Sequence, residues 1–272
     1  MLHSPRIRPV TAVLHRGGEQ LEREELLAVE EPLEIRVRLA DGDRPEHALS
    51  ITMRTPGDDV ELAVGFLCSE GIVQRREQIA DIACDRAHVR IDLAPGVRLP
   101  ERAPRRSFVM TSACGVCGRT SLEGLRAQPP GPLAPGPSLP AALIPQLPAA
   151  LLRVQTAFAA TGGIHAAGLF DARGELALIR EDVGRHNAVD KVLGALLLAG
   201  RLPAHDTVLL VSGRASFELV QKALMAQIPV LAAVGAPSSL AVELAIEAKM
   251  TLLGFVRENR FTVYSGHERI AA

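Results

Sequence analysis

Thr207-Val-Leu-Leu-Val-Ser-Gly-Arg-Ala-Ser216 decides the fold. The run from Thr207 to Val211 is apolar or β-branched and is bounded by small and hydroxyl residues, which fits a strand buried on both faces. Ser212-Gly-Arg-Ala-Ser216 turns the chain, and the apolar spacing from there to about Gln227 is helical. The same unit follows at once: a strand over Pro229–Val234, the corner Gly235-Ala-Pro-Ser-Ser239, and a helix to Lys249. Strands alternating with helices imply parallel pairing through crossovers, hence an α/β layered domain. Upstream, Gly163–Phe170 and Leu176–Ile179 read as two strands joined by the turn Asp171-Ala-Arg-Gly174. Glu181-Asp-Val-Gly-Arg-His-Asn187 then opens a helix to Leu198. Downstream, Thr251–Val256 and Arg260–Tyr264 complete the sheet.

Three corners thus place small or hydroxyl residues where a strand ends and a helix begins. Unpaired N–H groups and the helix dipole favour anions there, and open α/β sheets bind ligands at this edge. Arg185 and Arg214 add guanidinium forks suited to phosphate, so Arg185, His186, Ser212, Gly213 and Arg214 are candidate ligand-binding residues. The same Ser, Asn and Pro residues also serve as ordinary caps and turn formers, which leaves a phosphorylated ligand open on pattern alone. His165, inside an apolar strand, fits a packed or hydrogen-bonded histidine. The sole tyrosine, Tyr264, stacks on a base or simply ends a strand.

Before this domain the pattern changes. Residues 1–28 run basic and then acidic and read as an extended arm. Glu34–Leu39 alternates with period two, His47–Arg54 is its return strand, and Thr55-Pro-Gly-Asp-Asp59 is a turn and cap signal opening a helix that Gly71 ends. Ile79–Cys84 and Ala87–Leu93 add strands, giving an α+β domain over 29–127. Residues 128–148 contain eight prolines, the one linker-like composition in the chain. The α/β domain then occupies 149–272, beginning with a helix over Pro148–Phe158.

The α+β domain ends in Met110-Thr-Ser-Ala-Cys-Gly-Val-Cys-Gly118, after a strand over Arg106–Thr111. Glycine follows each thiol, so the loop is hinged and the sulfurs are little shielded. Four readings fit Cys114 and Cys117. A structural zinc needs four ligands, and Cys68 and Cys84 lie in apolar stretches at irregular spacing. A thioredoxin-type pair would open a helix in a βαβ unit, and two unreactive loop thiols are the bland case. The fourth reading, a nucleophilic cysteine carrying a covalent intermediate, suits the exposed loop best. Arg105, Arg106 and Arg119 flank it, and one unit of thiol pKa needs only ~1.4 kcal/mol of differential stabilisation.

Composition bounds the rest. The chain has 272 residues, is 47% hydrophobic and 22% charged, and carries a formal net charge of −1, which argues neither for nucleic acid nor for an anionic membrane. Only Lys191, Lys222 and Lys249 among the 30 basic residues are lysine. Arginine suits phosphate, but genomic base composition explains most of this bias. Four cysteines without framework spacing, no apolar signal-peptide core and no membrane-length apolar run point to the cytoplasm.

The motifs resemble the FdhD family, accessory sulfur carriers of formate dehydrogenase. They are Met53–Asp58, Thr111–Gly118, Thr161–Ala167, Arg180–Lys191, Val211–Glu218, Ala236–Leu240 and Phe261–Gly266, spread over nearly the whole chain. The resemblance implies that sulfur from a cysteine desulfurase is held as a persulfide on Cys114, with Cys117 assisting. It is then passed to a molybdenum or tungsten bis(molybdopterin guanine dinucleotide) cofactor, the bound client, before insertion into formate dehydrogenase. Phe261, Thr262, Val263, Tyr264, Ser265 and Gly266 match the family's cofactor-binding stretch. Also implied are a homodimer, no resident metal, and a three-layer, cytidine-deaminase-like second domain. The chain nevertheless lacks the deaminase signature: the first corner reads His186-Asn-Ala188 without a glutamate, and the CxxC lies outside the domain. The alternative is a cofactor-binding chaperone that transfers no sulfur.

Overall fold

A computed structural model describes residues 6–40, 46–99, 109–110 and 129–272. The N-terminal segment is not a single extended arm but a hairpin, β1 (Ile7–Arg16) with β2 (Glu19–Ala28), paired from Ile7↔Ala28 to Arg16↔Glu19. Its two-residue turn is Gly17-Gly18, with φ of 61° and 88°, the positive dihedrals that a tight hairpin turn requires.

The first body is a five-stranded sheet of β3 (Glu31–Arg38), β4 (His47–Arg54), β5 (Ile79–Cys84), β6 (His88–Leu93) and β7 (Val109–Met110), in the order β5-β6-β3-β4-β7. Leu33, Ile35 and Val37 alternate inward from β3 and pack with α1 (Asp59–Ser69). Every residue of α1 from Leu62 to Ser69 is buried, because the helix has the sheet on one side and a second helix on the other. Asp58, before α1, does not cap with its side chain; its backbone is left-handed (φ 58°) and its carboxylate accepts from Arg6 Nη2 at 2.5 Å.

The proline-rich stretch is no free tether. Its β8 (Leu139–Pro140) pairs in parallel with the C-terminal strand, and Gln227 Nε2 donates to the Gly131 carbonyl at 3.0 Å. The helix expected over Pro148–Phe158 is two short helices, α2 (Leu147–Leu152) and α3 (Thr156–Thr161). The Glu181 carboxylate accepts from the Ala157 and Phe158 amides and so fixes where α3 starts.

The second body is a six-stranded sheet of β9 (His165–Asp171), β10 (Leu176–Asp182), β11 (Thr207–Val211), β12 (Val230–Ala233), β13 (Thr251–Arg257) and β14 (Arg260–Ser265). The order is β10-β9-β11-β12-β13-β14, with β9 and β14 antiparallel to their neighbours. Strands β10 to β13 therefore end at one common edge. Three helices, α4 (Arg185–Leu198), α5 (Phe217–Met225) and α6 (Ser239–Glu247), cover one face. Leu139, Ile144, Leu147 and Leu151 cover the other, so part of the proline-rich stretch supplies the third layer. The last strand, β15, is Ile270–Ala271.

The two bodies meet where α1 crosses α4. A Cβ on Gly65 would lie 1.8 Å from the Asp190 carbonyl oxygen, and one on Gly194 would lie 1.8 Å from that of Glu61. Backbones this close exclude any side chain at either position. Beside the crossing, Asp190 accepts from Ser69 Oγ at 2.6 Å and from Lys222 Nζ at 2.7 Å. No helix among the described residues is long and apolar enough to cross a membrane.

Candidate functional site at the sheet edge

The first corner follows β10. Asp182 is wholly buried and accepts four bonds: from Gly184 N at 2.8 Å, Asn187 Nδ2 at 2.9 Å, Thr55 N at 3.1 Å and Lys191 Nζ at 2.8 Å. Two of these donors brace the start of α4 itself. Thr55 comes from the first body, and Asn187 and Lys191 reach back to it through the Met53 and Thr55 carbonyls. A fully bonded buried carboxylate thus locks the α4 terminus to the turn after β4. Arg185, the first helical residue, extends toward the second corner, its Cδ 3.9 Å from where a Gly213 Cβ would be. Its Nε is buried and donates to no group among the described residues.

The second corner is bonded across to β9: Ser212 N donates to the Ala166 carbonyl at 3.0 Å, and Ala166 N donates to Ser212 Oγ at 2.9 Å. The third corner is bonded to the second. Gly235 N donates to the Gly213 carbonyl at 2.9 Å, and Ser238 N to the Ala215 carbonyl at 3.0 Å. Phe255 N in turn donates to the Gly235 carbonyl at 3.0 Å. The edge is therefore one continuous row, with His165 and Arg185 at one end, bare backbone at Gly213 and Gly235, and exposed Arg214 beside it. Arg185, Ser212, Gly213 and Arg214 come together here as the spacing suggested. His186 shares the corner but faces inward, with Nε2 2.9 Å from Glu218 Oε2 and 3.4 Å from Ser216 Oγ.

His165 is more than a packed residue. Its half-buried ring lies 3.5 Å from the Gly213 Cβ position, and burial first, then the Arg185 and His186 charges, hold its pKa below the ordinary value. A neutral imidazole therefore stands beside the Arg185 guanidinium at neutral pH.

The stretch Phe261–Gly266 does not form one patch. Phe261 and Val263 pack on the sheet face away from the three helices. Gly266 lies at the opposite edge, its carbonyl accepting from Thr251 Oγ1 at 2.7 Å, because β14 runs antiparallel to β13. Tyr264 is the member that turns toward the site: its ring lies 2.8 Å from the Gly254 Cβ position, where Pro237 of the third corner also approaches.

Cys114 and Cys117 lie outside the described residues, but the strand leading to them does not. Strand β7 runs parallel to β4 with Thr52↔Met110, and Thr52 Oγ1 donates to Asn187 Oδ1 at 3.1 Å. The chain therefore leaves the first sheet beside the N-terminus of α4. The two described thiols are poor nucleophiles. Burial pushes Cys68 up to about 12, and burial with Asp59 and Asp85 raises Cys84. Among the described residues no group of three or more His, Cys, Asp and Glu side chains gathers as a metal site.

The profile of the FdhD/NarQ family matches residues 28–271. The chain belongs to that family. It is 50% identical over 265 residues to the sulfur carrier protein FdhD of Mycolicibacterium paratuberculosis, covering 93% of this chain and 95% of that one. To the protein of the same name from Streptomyces avermitilis it is 50% identical over 268 residues, covering 94% and 93%. A crystal structure assigned as a formate dehydrogenase accessory protein from Desulfotalea psychrophila superposes with a TM-score of 0.79 at 29% identity, covering 98% of this chain and all of that one. The mixed α/β architecture with several sheets is thus shared with a solved structure. Sequence reasoning missed the Asp182–Lys191–Thr55 lock, although polar Asn187 and Lys191 at i, i+4 inside a buried helix were a readable signal.

Proposed function

We propose that this chain is a sulfur carrier that serves formate dehydrogenase. In this reading Cys114 accepts sulfur from a cysteine desulfurase and delivers it to a molybdenum or tungsten bis(molybdopterin guanine dinucleotide) held at the sheet edge. The observation that carries the reading is the convergence at the first corner. The strand leading to the CxxC leaves the first sheet where Thr52 bonds Asn187, two residues along α4 from Arg185. Cys114 follows Met110 by four residues, so chain length alone keeps it within about 14 Å of that exit. The client's diphosphates suit the guanidinium groups of Arg185 and Arg214.

The transfer balances as thiol exchange. The Cys114 thiolate attacks the outer sulfur of the desulfurase persulfide. That sulfur's bond to the desulfurase cysteine breaks, and the cysteine departs as thiolate. For release, the Cys117 thiolate attacks Cys114 Sγ, expelling hydrosulfide for the metal and leaving a Cys114–Cys117 disulfide. An external dithiol then restores both thiols. The slow chemistry of Cys68 and Cys84 favours the CxxC pair as carrier. We read the second body as cytidine-deaminase-like in layering but without deaminase chemistry, and the working form as a cytoplasmic homodimer.

Incubation with desulfurase and cysteine should add ~32 Da to the peptide bearing Cys114, and Cys114→Ala should abolish both the adduct and formate dehydrogenase maturation. Guanine nucleotide binding without the adduct would instead favour the chaperone that transfers no sulfur.

A further inference from the structure

We infer that a cavity at the root of the N-terminal hairpin is where the sulfur donor docks, and that it takes a segment of the cysteine desulfurase carrying an acidic residue beside an apolar one. The inference rests on the sulfur-carrier reading and adds the surface that brings the donor to the carrier. The cavity measures about 670 Å³, the size of a ligand pocket, and lies between β1, the start of β3 and the turn after β4. Ile7, Pro9, Val29 and Pro56 give it apolar walls. Its deep wall is preformed. Arg54, 1% exposed, donates from Nε and Nη2 to the two Asp59 carboxylate oxygens at 2.8 and 3.1 Å, and from Nη2 to the Arg86 carbonyl at 3.0 Å. Thr55 beside it donates its amide to Asp182 and accepts at its carbonyl from Lys191 Nζ.

The mouth is cationic. Arg54 and Asp59 neutralise each other, which leaves Arg8 and Arg86 against Glu31. Both guanidinium groups lie on that one carboxylate, Arg86 at 3.2 Å and Arg8 at 3.8 Å, and their side chains are 86% and 65% exposed. Exposed pairs of this kind hold weakly. Each fork also keeps donors to spare, so an incoming carboxylate can bond both while its apolar neighbour enters the cavity. Position selects the donor over the enzyme that is served. Strand β4 lies between β3 and β7 in the first sheet. Strand β7 runs parallel to β4 with Thr52↔Met110, so it ends at the same end of the sheet as Arg54, two residues and about 7 Å further along. The cavity therefore lies beside the strand that leads to Cys114, whereas the corners proposed for the client lie on the second sheet.

The test follows the rate of the ~32 Da gain on Cys114 of the full chain as cysteine desulfurase is titrated in the presence of cysteine. A small uncharged donor, hydroxyethyl persulfide, is used in parallel. Arg8→Glu combined with Arg86→Glu should raise the half-saturating desulfurase concentration about tenfold and leave transfer from the small donor unchanged. Glu31→Gln removes the carboxylate that competes at the mouth and should lower that concentration, a gain that mere loss of structure would not produce. Unchanged desulfurase saturation in the double reversal, or an equal loss with the small donor, overturns the docking site and leaves Cys114 as carrier. The same holds for a wild type that takes sulfur from the small donor alone. It holds also for a double reversal that takes sulfur normally yet fails to activate formate dehydrogenase, which would give the cavity to that enzyme. A wild type that gains sulfur from neither donor overturns the carrier reading together with this one.

Discussion

Replacing Gly65 by alanine tests the joint on which the proposed site depends. The new Cβ would lie 1.8 Å from the Asp190 carbonyl oxygen and 2.9 Å from its Cα. Ordinary contact needs about 1.5 Å more than the shorter of these distances. Both atoms belong to helix backbone, so no side chain can swing aside and α1 must lift off α4. Overpacking of this kind costs about 1–3 kcal/mol. Lifting also stretches the buried Ser69–Asp190 bond, whose loss adds roughly another 1–2 kcal/mol. The expected total, about 2–5 kcal/mol, is a large share of a typical domain's stability. Urea unfolding followed by circular dichroism should show the midpoint fall with little change in slope. Gly194→Ala should cost a similar amount through the Glu61 carbonyl. Because both glycines serve one crossing, the double variant should cost well under the sum. A Gly65→Ala protein within ~0.5 kcal/mol of wild type, or strict additivity of the pair, would refute the close-crossing argument.

Lys191→Met should leave Asp182 buried without its cation and destabilise by about 3–5 kcal/mol, while Lys191→Met with Asp182→Asn should recover part of that loss in the same unfolding experiment. In the native protein at pH 8, a maleimide should leave Cys68 unlabelled until the chain is unfolded, because burial holds that thiol near 12. Exposed Cys84 should label slowly, at a rate that rises with pH; rapid labelling of native Cys68 would contradict its packing. His165 faces Arg185, His186 and Asp182, and its folded pKa lies below the ordinary 6.5. The unfolded chain therefore binds the extra proton first, and this histidine's contribution to stability is full above 6.5 and is lost as pH falls below it. A bound anion reverses the penalty, so pyrophosphate binding should take up a proton and tighten from pH 7.5 to 6 more in wild type than in His165→Asn. Identical pH profiles would remove His165 from the site.

Much of the second sheet was legible. The strand Thr207–Val211 has the bounds its pattern suggested, as does Ile79–Cys84 in the first sheet. A buried parallel strand must be continuously apolar, and the polar corner after it must turn. The N-terminal hairpin was missed because most of its side chains face solvent and leave no clear alternation, although Gly17-Gly18 marks its turn. The proline-rich stretch looked like a tether because composition reports local stiffness. Whether Leu139, Ile144 and Leu147 find a core depends on a distant sheet.

Residue order alone determined that strands β10, β11 and β12 would end in small, polar corners, two of them bearing an arginine, since strand and turn chemistry are local. Only tertiary structure decided which residues share that edge. It drew in His165 from a strand interior and Phe255 from a bulge, and it split Phe261–Gly266 between two faces and both edges of the sheet. The reason is that facing and register are set by pairing between residues far apart in the chain, and one inserted residue changes which side of a sheet every later side chain meets.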